Sequence, residues 1–338
     1  MKKIIINSLL NADENGVTRF LKNEFSRKKA NFMIKHGEWL HNGNENRYVL
    51  LHGKKVIGYF GIIPTKVHWG KKQKDAFWWI DLFISSKYRG KGYHRIVDEF
   101  IRNKPGLKIG FPNKIAAIIH KKNGWTICDQ SKVMMLPIKP SKSSIFKGEN
   151  IFLGNIFDFL IKPLIHLRSK TRSKWSYKDK HPNFEEYADI YLKTIGEKIT
   201  IEKNSEYFKW RYFNSPYKNE YDYYICQKSI ESKVILISRR VVENIGLKIR
   251  IVDIFGNLND SAAVKDLLGF VINDSIKSNA LQISILESNK SLQTLLFQLG
   301  FLFFSKARFC YFPEFDENGK DKLLMRWSFS DSDNDFLD

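Results

Sequence analysis

Apolar residues near the start of the chain recur at the spacing of one helix face. Val17, Phe20, Leu21 and Phe25 predict a helix over residues 16–29. Short runs rich in β-branched and aromatic residues predict strands farther along, with a hairpin turn at Gly53-Lys54. In chain order we expect strands at 48–51, 56–63 and 77–84, a helix at 93–101, a strand at 108–111, a helix at 113–122 and a strand at 132–137. This order is typical of a mixed α/β layer.

The second half of the chain repeats landmarks of the first. Three separations of 171, 172 and 176 residues are too similar for unrelated segments, so they predict a duplicated domain. The matched landmarks are Trp39 with Trp210, Asp81 with Asp253, and Gly124-Trp125 with Gly300-Phe301.

The pattern predicts two domains and a linker. We place the first domain at 1–138, a basic linker at 139–180, the second domain at 181–325 and an acidic tail at 326–338. The linker contains an apolar stretch at 156–167, which is interrupted by Pro163 and followed by basic residues. It is interpreted as a helix packed between the domains, because proline interrupts helices. The alternative, a helix lying on a membrane surface, would allow peripheral membrane contact.

Composition narrows the class of protein. The 338 residues are 43% hydrophobic, enough for two cores. Three distant cysteines, Cys128, Cys226 and Cys310, favour neither a metal site nor a disulfide framework, so we expect no metal and a reducing, cytoplasmic location. The first residues make a poor signal peptide, and no apolar run is long enough for a transmembrane segment.

The net charge of +20 favours an anionic partner. That partner could be a nucleic acid, a membrane surface or a phosphorylated small molecule, and a lysine-rich solvated surface would give the same charge. Neither a zinc-finger spacing nor an aromatic RNA-binding signature occurs, so we expect no nucleic acid.

A glycine-rich loop after the strand at 77–84 carries the clearest chemistry. Arg89, Gly90, Lys91 and Gly92 lie between that strand and the helix that begins at Tyr93. Glycines let backbone N–H groups approach an anion closely, and a helix N-terminus adds partial positive charge. The sequence therefore predicts a pyrophosphate site at this loop.

This segment resembles motif A of the GNAT acyltransferase superfamily, Q/R-x-x-G-x-G/A. Arg89 and Gly92 match the first two fixed positions, while His94 stands where Gly or Ala is usual. The preceding Leu82-Phe83-Ile84 resembles the family's bulged strand, which implies hydrogen bonds to pantetheine and polarisation of the thioester carbonyl. The resemblance assigns contacts with acetyl-CoA or another acyl-CoA to Leu82, Phe83, Ile84, Arg89, Gly90, Lys91, Gly92, Tyr93, His94 and Asn113.

A second segment, residues 110–125, resembles the family signature N-x-x-A-x-x-x-Y-x-K-x-G-F. Asn113, Ala116, Lys122 and Gly124 match it in register, and Trp125 replaces Phe. The resemblance implies that Asn113 contacts the pantetheine arm. His120 occupies the position of the family's Tyr, which protonates the departing thiolate, and imidazole can donate a proton near neutral pH. The alternative is a surface histidine without a role.

Asp81 is the candidate general base. It lies on the strand just before the expected bulge, and an amine must be neutral before it attacks a thioester. The alternative is a structural carboxylate, and the matching Asp253 in the second half favours this alternative.

The second half is expected to keep the fold without binding coenzyme A, because Asp260 makes its loop a poor phosphate site. The predicted fold is therefore α/β with a mixed sheet, as two tandem GNAT-like domains of which the second is degenerate. Its segment from Trp210 to Tyr217 resembles an element of tandem GNAT-like proteins near bacterial surface-polysaccharide genes. Arg211, Arg239 and Arg240 would bind a substrate phosphate there or form structural ion pairs.

The resemblance implies transfer of a short acyl group to an anionic amine acceptor. A nucleotide-linked or phosphorylated amino sugar of surface-polysaccharide biosynthesis fits the basic charge. Two alternatives stay open: a Fem-like transferase that uses aminoacyl-tRNA, and a non-catalytic, surface-associated binding module.

Overall fold

The computed structural model describes residues 4–69, 72–142, 151–170, 175–196, 199–229, 232–312 and 327–328. These residues form two compact units. The first contains residues 4–128 and 308–312, and the second contains residues 129–307 and 327–328.

The first unit opens with two helices and a set of antiparallel strands. Its elements are β1 (Ile4–Ser8), α1 (Glu14–Glu24), α2 (Arg27–His41), β2 (Arg47–His52), β3 (Lys55–Trp69), β4 (Lys72–Ile84), α3 (Tyr93–Arg102), β5 (Leu107–Gly110), α4 (Lys114–Lys122) and the start of β6 (Thr126–Pro137). Apart from the helix at 16–29, the strands and helices predicted for this half are present, including the hairpin turn at Gly53-Lys54.

The single helix predicted over residues 16–29 is wrong. The segment forms α1 and α2, separated by Phe25 and Ser26. The Ser26 hydroxyl accepts a hydrogen bond from the Lys29 backbone N–H at 3.3 Å, so Ser26 starts a new helix by capping it. α2 then continues to His41, well beyond the predicted end.

The sheet of the first unit has the strand order β1-β2-β3-β4-β5, and residues 310–312 of β13 (Leu302–Phe312) complete it. Neighbouring strands are antiparallel except β4 and β5, which run parallel. A buried cluster containing Phe60, Trp79, Val97 and Trp125 packs one face of this sheet against α3.

The second unit repeats this plan. After β6 its elements are α5 (Ile151–Arg168), β7 (Ser176–Asp179), α6 (Phe184–Thr194), β8 (Ile199–Ile201), α7 (Ser205–Phe208), a π-helical turn (Lys209–Phe213), β9 (Tyr221–Gln227), β10 (Lys233–Glu243), β11 (Gly246–Gly256), α8 (Ser261–Lys277), β12 (Gln282–Glu287), α9 (Lys290–Gln298), β13 and β14 (Trp327–Ser328). Its main sheet has the order β7-β9-β10-β11-β12-β6, and only β11 and β12 run parallel. The short strands β8 and β14 pair with each other.

The matched landmarks lie at matching places of the two units. Gly124 and Gly300 both have positive φ, 88° and 96°, and each follows the last helix of its half. The aromatic residues after them, Trp125 and Phe301, are both buried. The predicted α/β class with two tandem domains of one fold is confirmed.

The last strand of each half belongs to the other unit. β6 follows α4 in the chain, yet its residues Lys132–Pro137 pair with β12 of the second unit. Residues Cys310–Phe312 of β13 pair with β5 of the first unit. The compact units therefore divide the chain at 128/129 and 307/308, and not at the predicted positions 138 and 181.

The predicted linker contains regular structure. α5 continues through Pro163 as one helix, so the interpretation that proline interrupts it is wrong. Ile165 of α5 is buried in the core of the second unit with Leu136, Leu267 and Ile283. Residues 143–150 and 171–174 of the linker lie outside the described residues, as does the predicted acidic tail apart from β14. Within the described chain, no helix combines the length and apolarity needed to cross a membrane.

Candidate functional site

The site is built where β4 departs from regular pairing with β3. Gly61 pairs with Ile80 and Tyr59 pairs with Phe83, so that Asp81 and Leu82 together lie opposite one residue. Asp81 has φ of 58°, a left-handed conformation that aspartate tolerates better than most residues. A bulge frees backbone groups from the ladder and redirects a side chain. The bulge expected at Leu82-Phe83-Ile84 is present, and it begins one residue earlier, at Asp81.

The loop after β4 leads into a helix whose N-terminus has no side-chain cap. Gly90 and Gly92 have φ of 76° and 78°, so both need the conformational freedom of glycine. Gly92 is the N-cap of α3 and supplies no side-chain hydrogen bond to the first turn. A Cβ built on either glycine meets no heavy atom of the described residues within 4 Å. The space around both glycines at the start of α3 is therefore open, as an anion site at this helix end requires.

The cations of this loop have defined positions. Arg89 donates a hydrogen bond from Nε to the carbonyl oxygen of Ile84 at 2.9 Å, and its guanidinium lies 4.9 Å from the centre of the Phe83 ring. The Lys91 ammonium lies 5.4 Å from the ring centre of Tyr88. Arg89 thus ties the loop to the end of the bulged strand. Tyr93 begins α3 next to Tyr88, and His94 is partly exposed in the first helical turn.

The corresponding helix of the second unit begins with a carboxylate. Asp260 is the N-cap of α8, and its Oδ1 accepts a hydrogen bond from the Ala263 N–H at 2.9 Å. A hydrogen bond from Ser232 to the other oxygen lowers the pKa of Asp260. The anionic position at this helix end is therefore filled by the chain itself, in agreement with the expected loss of phosphate binding in the second half.

Asn113 caps α4. Its Oδ1 accepts hydrogen bonds from the N–H groups of Ile115 and Ala116, at 3.0 and 2.9 Å. The side-chain carbonyl therefore holds the helix start, which leaves the exposed amide NH2 as the group to contact a ligand.

His120 is largely buried, with 12% of its side chain exposed, so it is not a surface histidine. Its ring lies between Trp79 and Trp125, with centroid distances of 4.9 and 4.8 Å. Its Nδ1 lies 3.8 Å from Oδ1 of Asp98, a carboxylate on the buried face of α3. Asp98 also accepts a hydrogen bond from Trp125 Nε1 at 2.9 Å. Asp98 was not predicted as a site residue from the sequence, although an acidic residue between the apolar positions Val97 and Ile101 is a visible signal.

Asp81 belongs to a second polar cluster, on α2, β2 and β3. Its Oδ1 receives a hydrogen bond and ion pair from Lys29 at 2.6 Å, and only 7% of its side chain is exposed. His41 Nε2 lies 3.9 Å from its other oxygen, Oδ2. Tyr59 and Arg47 lie behind His41. Of the residues in this cluster, Asp81 was predicted from the sequence and the others were not.

The buried groups behind Asp81 are held by a chain of hydrogen bonds. His41 Nδ1 lies 3.1 Å from the carbonyl oxygen of Ile62, and Arg47 donates from Nε to the Tyr59 hydroxyl at 2.9 Å. Burial raises the pKa of Tyr59 and lowers that of His41 to about 4, although Asp81 acts to raise the latter. At neutral pH the cluster therefore contains a neutral imidazole and a neutral phenol.

Acid is expected to destabilise the protein through His41. The unfolded chain binds a proton on this imidazole near pH 6.5, whereas the folded chain binds it only near pH 4. The contribution of the neutral His41 to the free energy of unfolding is therefore fully present above pH 6.5. It falls by about 1.4 kcal/mol per pH unit as the pH drops toward 4, about 3 kcal/mol in all. Urea unfolding between pH 4 and 7 measures this loss. A His41→Gln variant should show a shallower pH dependence, and parallel curves for the two proteins would contradict the assignment.

The carboxylate that matches Asp81 in the second unit is fully paired. Asp253 Oδ1 accepts a hydrogen bond from Lys203 at 2.8 Å and Oδ2 accepts one from the Tyr212 hydroxyl at 2.7 Å. The side chains of Lys203 and Asp253 are each 2% exposed. Lys203 follows Lys29 by 174 residues, so the lysine–aspartate pair is a further element of the repeat. In the second unit this pair is sealed in the core.

The arginines considered for phosphate binding have structural partners. Arg211 is buried and donates a hydrogen bond to the Tyr221 hydroxyl at 3.1 Å. Arg239 pairs with Glu220 at 2.8 Å, and Arg240 lies 3.8 Å from Asp222. In the segment from Trp210 to Tyr217, Tyr212 is fully buried and Trp210 is partly exposed. Among the described residues no group of three or more histidine, cysteine, aspartate or glutamate side chains could hold a metal ion.

The fold is similar to those of solved GCN5-related N-acetyltransferases and of an N-myristoyltransferase. A GCN5-related N-acetyltransferase from Anabaena variabilis ATCC 29413 is similar to this chain with a TM-score of 0.59 at 16% identity, over 91% of this chain and 72% of that one. Saccharomyces cerevisiae N-myristoyltransferase with bound myristoyl-CoA is similar with a TM-score of 0.61 at 10% identity, over 92% and 83% of the two chains. A GCN5-related N-acetyltransferase from Kribbella flavida gives 0.59 at 11% identity, over 91% and 71%. At such identities the likeness concerns the fold. No family model matches the chain, and no curated protein matches its sequence.

Proposed function

We propose that this protein is an acyl-CoA-dependent N-acyltransferase whose first unit binds coenzyme A. The observation that carries the proposal is the contrast between two equivalent helix starts. α3 begins at the bare Gly92 after a bulged strand, while α8 is capped by the carboxylate of Asp260. A pyrophosphate needs unpaired N–H groups and nearby cations, and the first unit offers both. The fold shared with acyltransferases supports the same assignment.

The residues present fit coenzyme A. Gly90 and Gly92 leave room for a pyrophosphate, and Lys91 and Arg89 add positive charge beside it. Backbone groups of Leu82-Phe83-Ile84 would bind the pantetheine arm, and Asn113 would contact it through its amide. Tyr93 and His94 would present their backbone N–H groups in the first turn of α3. Bound acyl-CoA would supply an activated thioester carbonyl at the bulge.

The side chains near the bulge and on α4 would move the protons. Asp81 would accept a proton from the acceptor ammonium, so that the amine can attack the thioester. Backbone N–H groups at the bulge would stabilise the charge on the carbonyl oxygen. His120 would donate a proton to the departing thiolate, and Asp98 beside Nδ1 would orient its ring.

Calorimetric titration of acetyl-CoA tests the cofactor assignment. We expect micromolar-range binding to the wild type and its loss in Gly92→Trp, because a bulky residue with positive φ would be strained and would fill the loop. The exposed Lys121→Ala on α4 is the matched control and should bind normally. If the wild type does not bind, the proposal fails, and a tRNA-binding assay for the Fem-like alternative follows.

For the acceptor we propose an anionic, amine-bearing small molecule, namely a nucleotide-linked or phosphorylated amino sugar. The net charge of +20 and the exposed Arg27 and Lys28 beside Lys29 support an acceptor with a negative group. Release of free coenzyme A measures turnover. We expect a higher kcat/KM for a phosphorylated amino sugar than for the same sugar without phosphate, with the difference shrinking as salt is added. Equal values for the two sugars would contradict this choice of acceptor.

A further inference from the structure

The two oxygens of the Asp81 carboxylate have different surroundings. Oδ1 is bound by Lys29 at 2.6 Å, on the side where Lys29 is 31% exposed. Oδ2 is buried and accepts no hydrogen bond from the described residues. The Nε2 atom of His41 lies 3.9 Å from Oδ2. A buried carboxylate oxygen without a donor is costly unless it has a use.

The contacts of His41 determine which ring nitrogen carries the proton. Nδ1 lies 3.1 Å from the Ile62 carbonyl oxygen, which can only accept, so a neutral imidazole carries its hydrogen on Nδ1. Nε2 therefore presents a lone pair toward Asp81 Oδ2. The Tyr59 hydroxyl lies 3.4 Å from Nε2 and accepts a hydrogen bond from Arg47 Nε at 2.9 Å.

Two glycines make room for this arrangement. A Cβ on Gly61 would lie 2.0 Å from the His41 ring, and a Cβ on Gly37 would lie 2.6 Å from the Arg47 guanidinium. Neither glycine has the positive φ that would otherwise explain it. The backbone thus approaches the two buried side chains closely and fixes the ring of His41 beside Asp81.

We propose that His41 is a positioning residue for proton transfer, whose Nε2 lone pair accepts the hydrogen bond of the protonated Asp81 carboxyl. This rests on the proposed function of the site. An N–H bond of the acceptor ammonium breaks, its electron pair stays on the amine nitrogen, and an O–H bond forms on the Asp81 carboxyl group. That O–H then points to Nε2, so the buried proton has a partner that the ionised carboxylate lacks.

The charges around His41 come from four elements. Lys29 lies on the same helix, α2, Arg47 on β2, Tyr59 on β3 and Asp81 on β4. The two cations outnumber the single carboxylate, and together with burial they keep the imidazole neutral, since burial is the largest cause of its lowered pKa. In the second unit the Tyr212 hydroxyl donates a hydrogen bond to Oδ2 of Asp253. That oxygen therefore faces a donor, whereas Oδ2 of Asp81 faces the lone pair of His41.

The first arm of the test does not depend on activity. In 15N NMR of the full chain, we expect His41 as the neutral Nδ1–H form from pH 5 to 8, titrating near pH 4. Asp81→Asn should lower its pKa further and Lys29→Met should raise it, because the carboxylate favours the charged ring and the ammonium opposes it. A charged ring at pH 7, an Nε2–H form or no response to either substitution would overturn the inference.

The second arm measures the role. His41→Gln places an amide N–H beside Oδ2 in place of a lone pair, which favours the ionised carboxylate. We expect the acidic limb of kcat/KM to move to lower pH and its plateau to fall about tenfold, with acetyl-CoA binding unchanged. His36→Gln, on the same helix but packed against Phe32, should change neither.

The outcomes separate the two proposals. A wild type without acetyl-CoA binding or turnover refutes the proposed function, whatever the NMR shows. Normal wild-type turnover together with an unchanged pH profile in His41→Gln refutes the role of His41 alone.

Discussion

Replacing Asp81 with asparagine should lower kcat/KM by about 10²- to 10⁴-fold, the usual contribution of a positioned base, while acetyl-CoA binding stays unchanged. Asparagine keeps the size of the side chain and one oxygen that can accept the hydrogen bond from Lys29. It lacks the second carboxylate oxygen, so it cannot take up a proton there. The loss should appear in turnover because Asp81 touches the acceptor's proton and the coenzyme site lies along the strand and loop that follow.

The measurement is coenzyme A release at several pH values, combined with calorimetric titration of acetyl-CoA. Asp75→Asn is a matched control, since Asp75 is an exposed aspartate on the same strand β4. Its activity should equal that of the wild type. If Asp81→Asn kept more than a third of the activity, Asp81 would be the structural carboxylate that the sequence also allowed.

The loop could be predicted from the sequence because its signal is local. Gly90 and Gly92 lie within eight residues of the strand end, and their positive φ values follow from glycine in that short turn. The fold class followed from the order of apolar runs for the same reason. The helix at 16–29 failed because the local effect of Ser26 as a cap was overlooked within an apparently continuous apolar pattern.

The polar cluster behind Asp81 could not be predicted in the same way. Lys29 and Asp81 are 52 residues apart in sequence, and nothing in either neighbourhood specifies the other. Only the close approach of backbone to side chain at Gly61 brings His41 next to Asp81. A single sequence shows Gly61 as one glycine in a strand, where a bulge or a ligand would explain it equally well.

The placement of the last strand of each half in the other unit could not be predicted from the sequence either. The apolar run at the end of β6 is typical of a strand, and that pattern is the same whether β5 or β12 is the partner. Strand pairing is a long-range choice, so the predicted domain boundary followed the order of the chain while the compact units do not.

Replacing Lys203 with methionine should cost about 3–5 kcal/mol of the free energy of unfolding, because it leaves the carboxylate of Asp253 buried without its cation. Lys203 and Asp253 are each 2% exposed, and the Tyr212 hydroxyl donates to Oδ2, not to the oxygen that Lys203 binds. The equivalent Lys29→Met should cost less than about 1 kcal/mol, because Lys29 is 31% exposed and water can reach the ion pair.

The two substitutions form a matched pair, since both ion pairs join lysine Nζ to aspartate Oδ1, at 2.8 and 2.6 Å, in equivalent halves of one fold. Guanidinium unfolding with comparison of midpoint and slope measures the two costs. A double change of Lys203 and Asp253 to methionine and leucine should recover part of the lost stability, because it removes both buried charges. Equal costs for the two single variants would show that burial does not distinguish the pairs. A larger cost at Lys203 would mean that the buried ion pair stabilises the second unit more than the partly exposed pair stabilises the first.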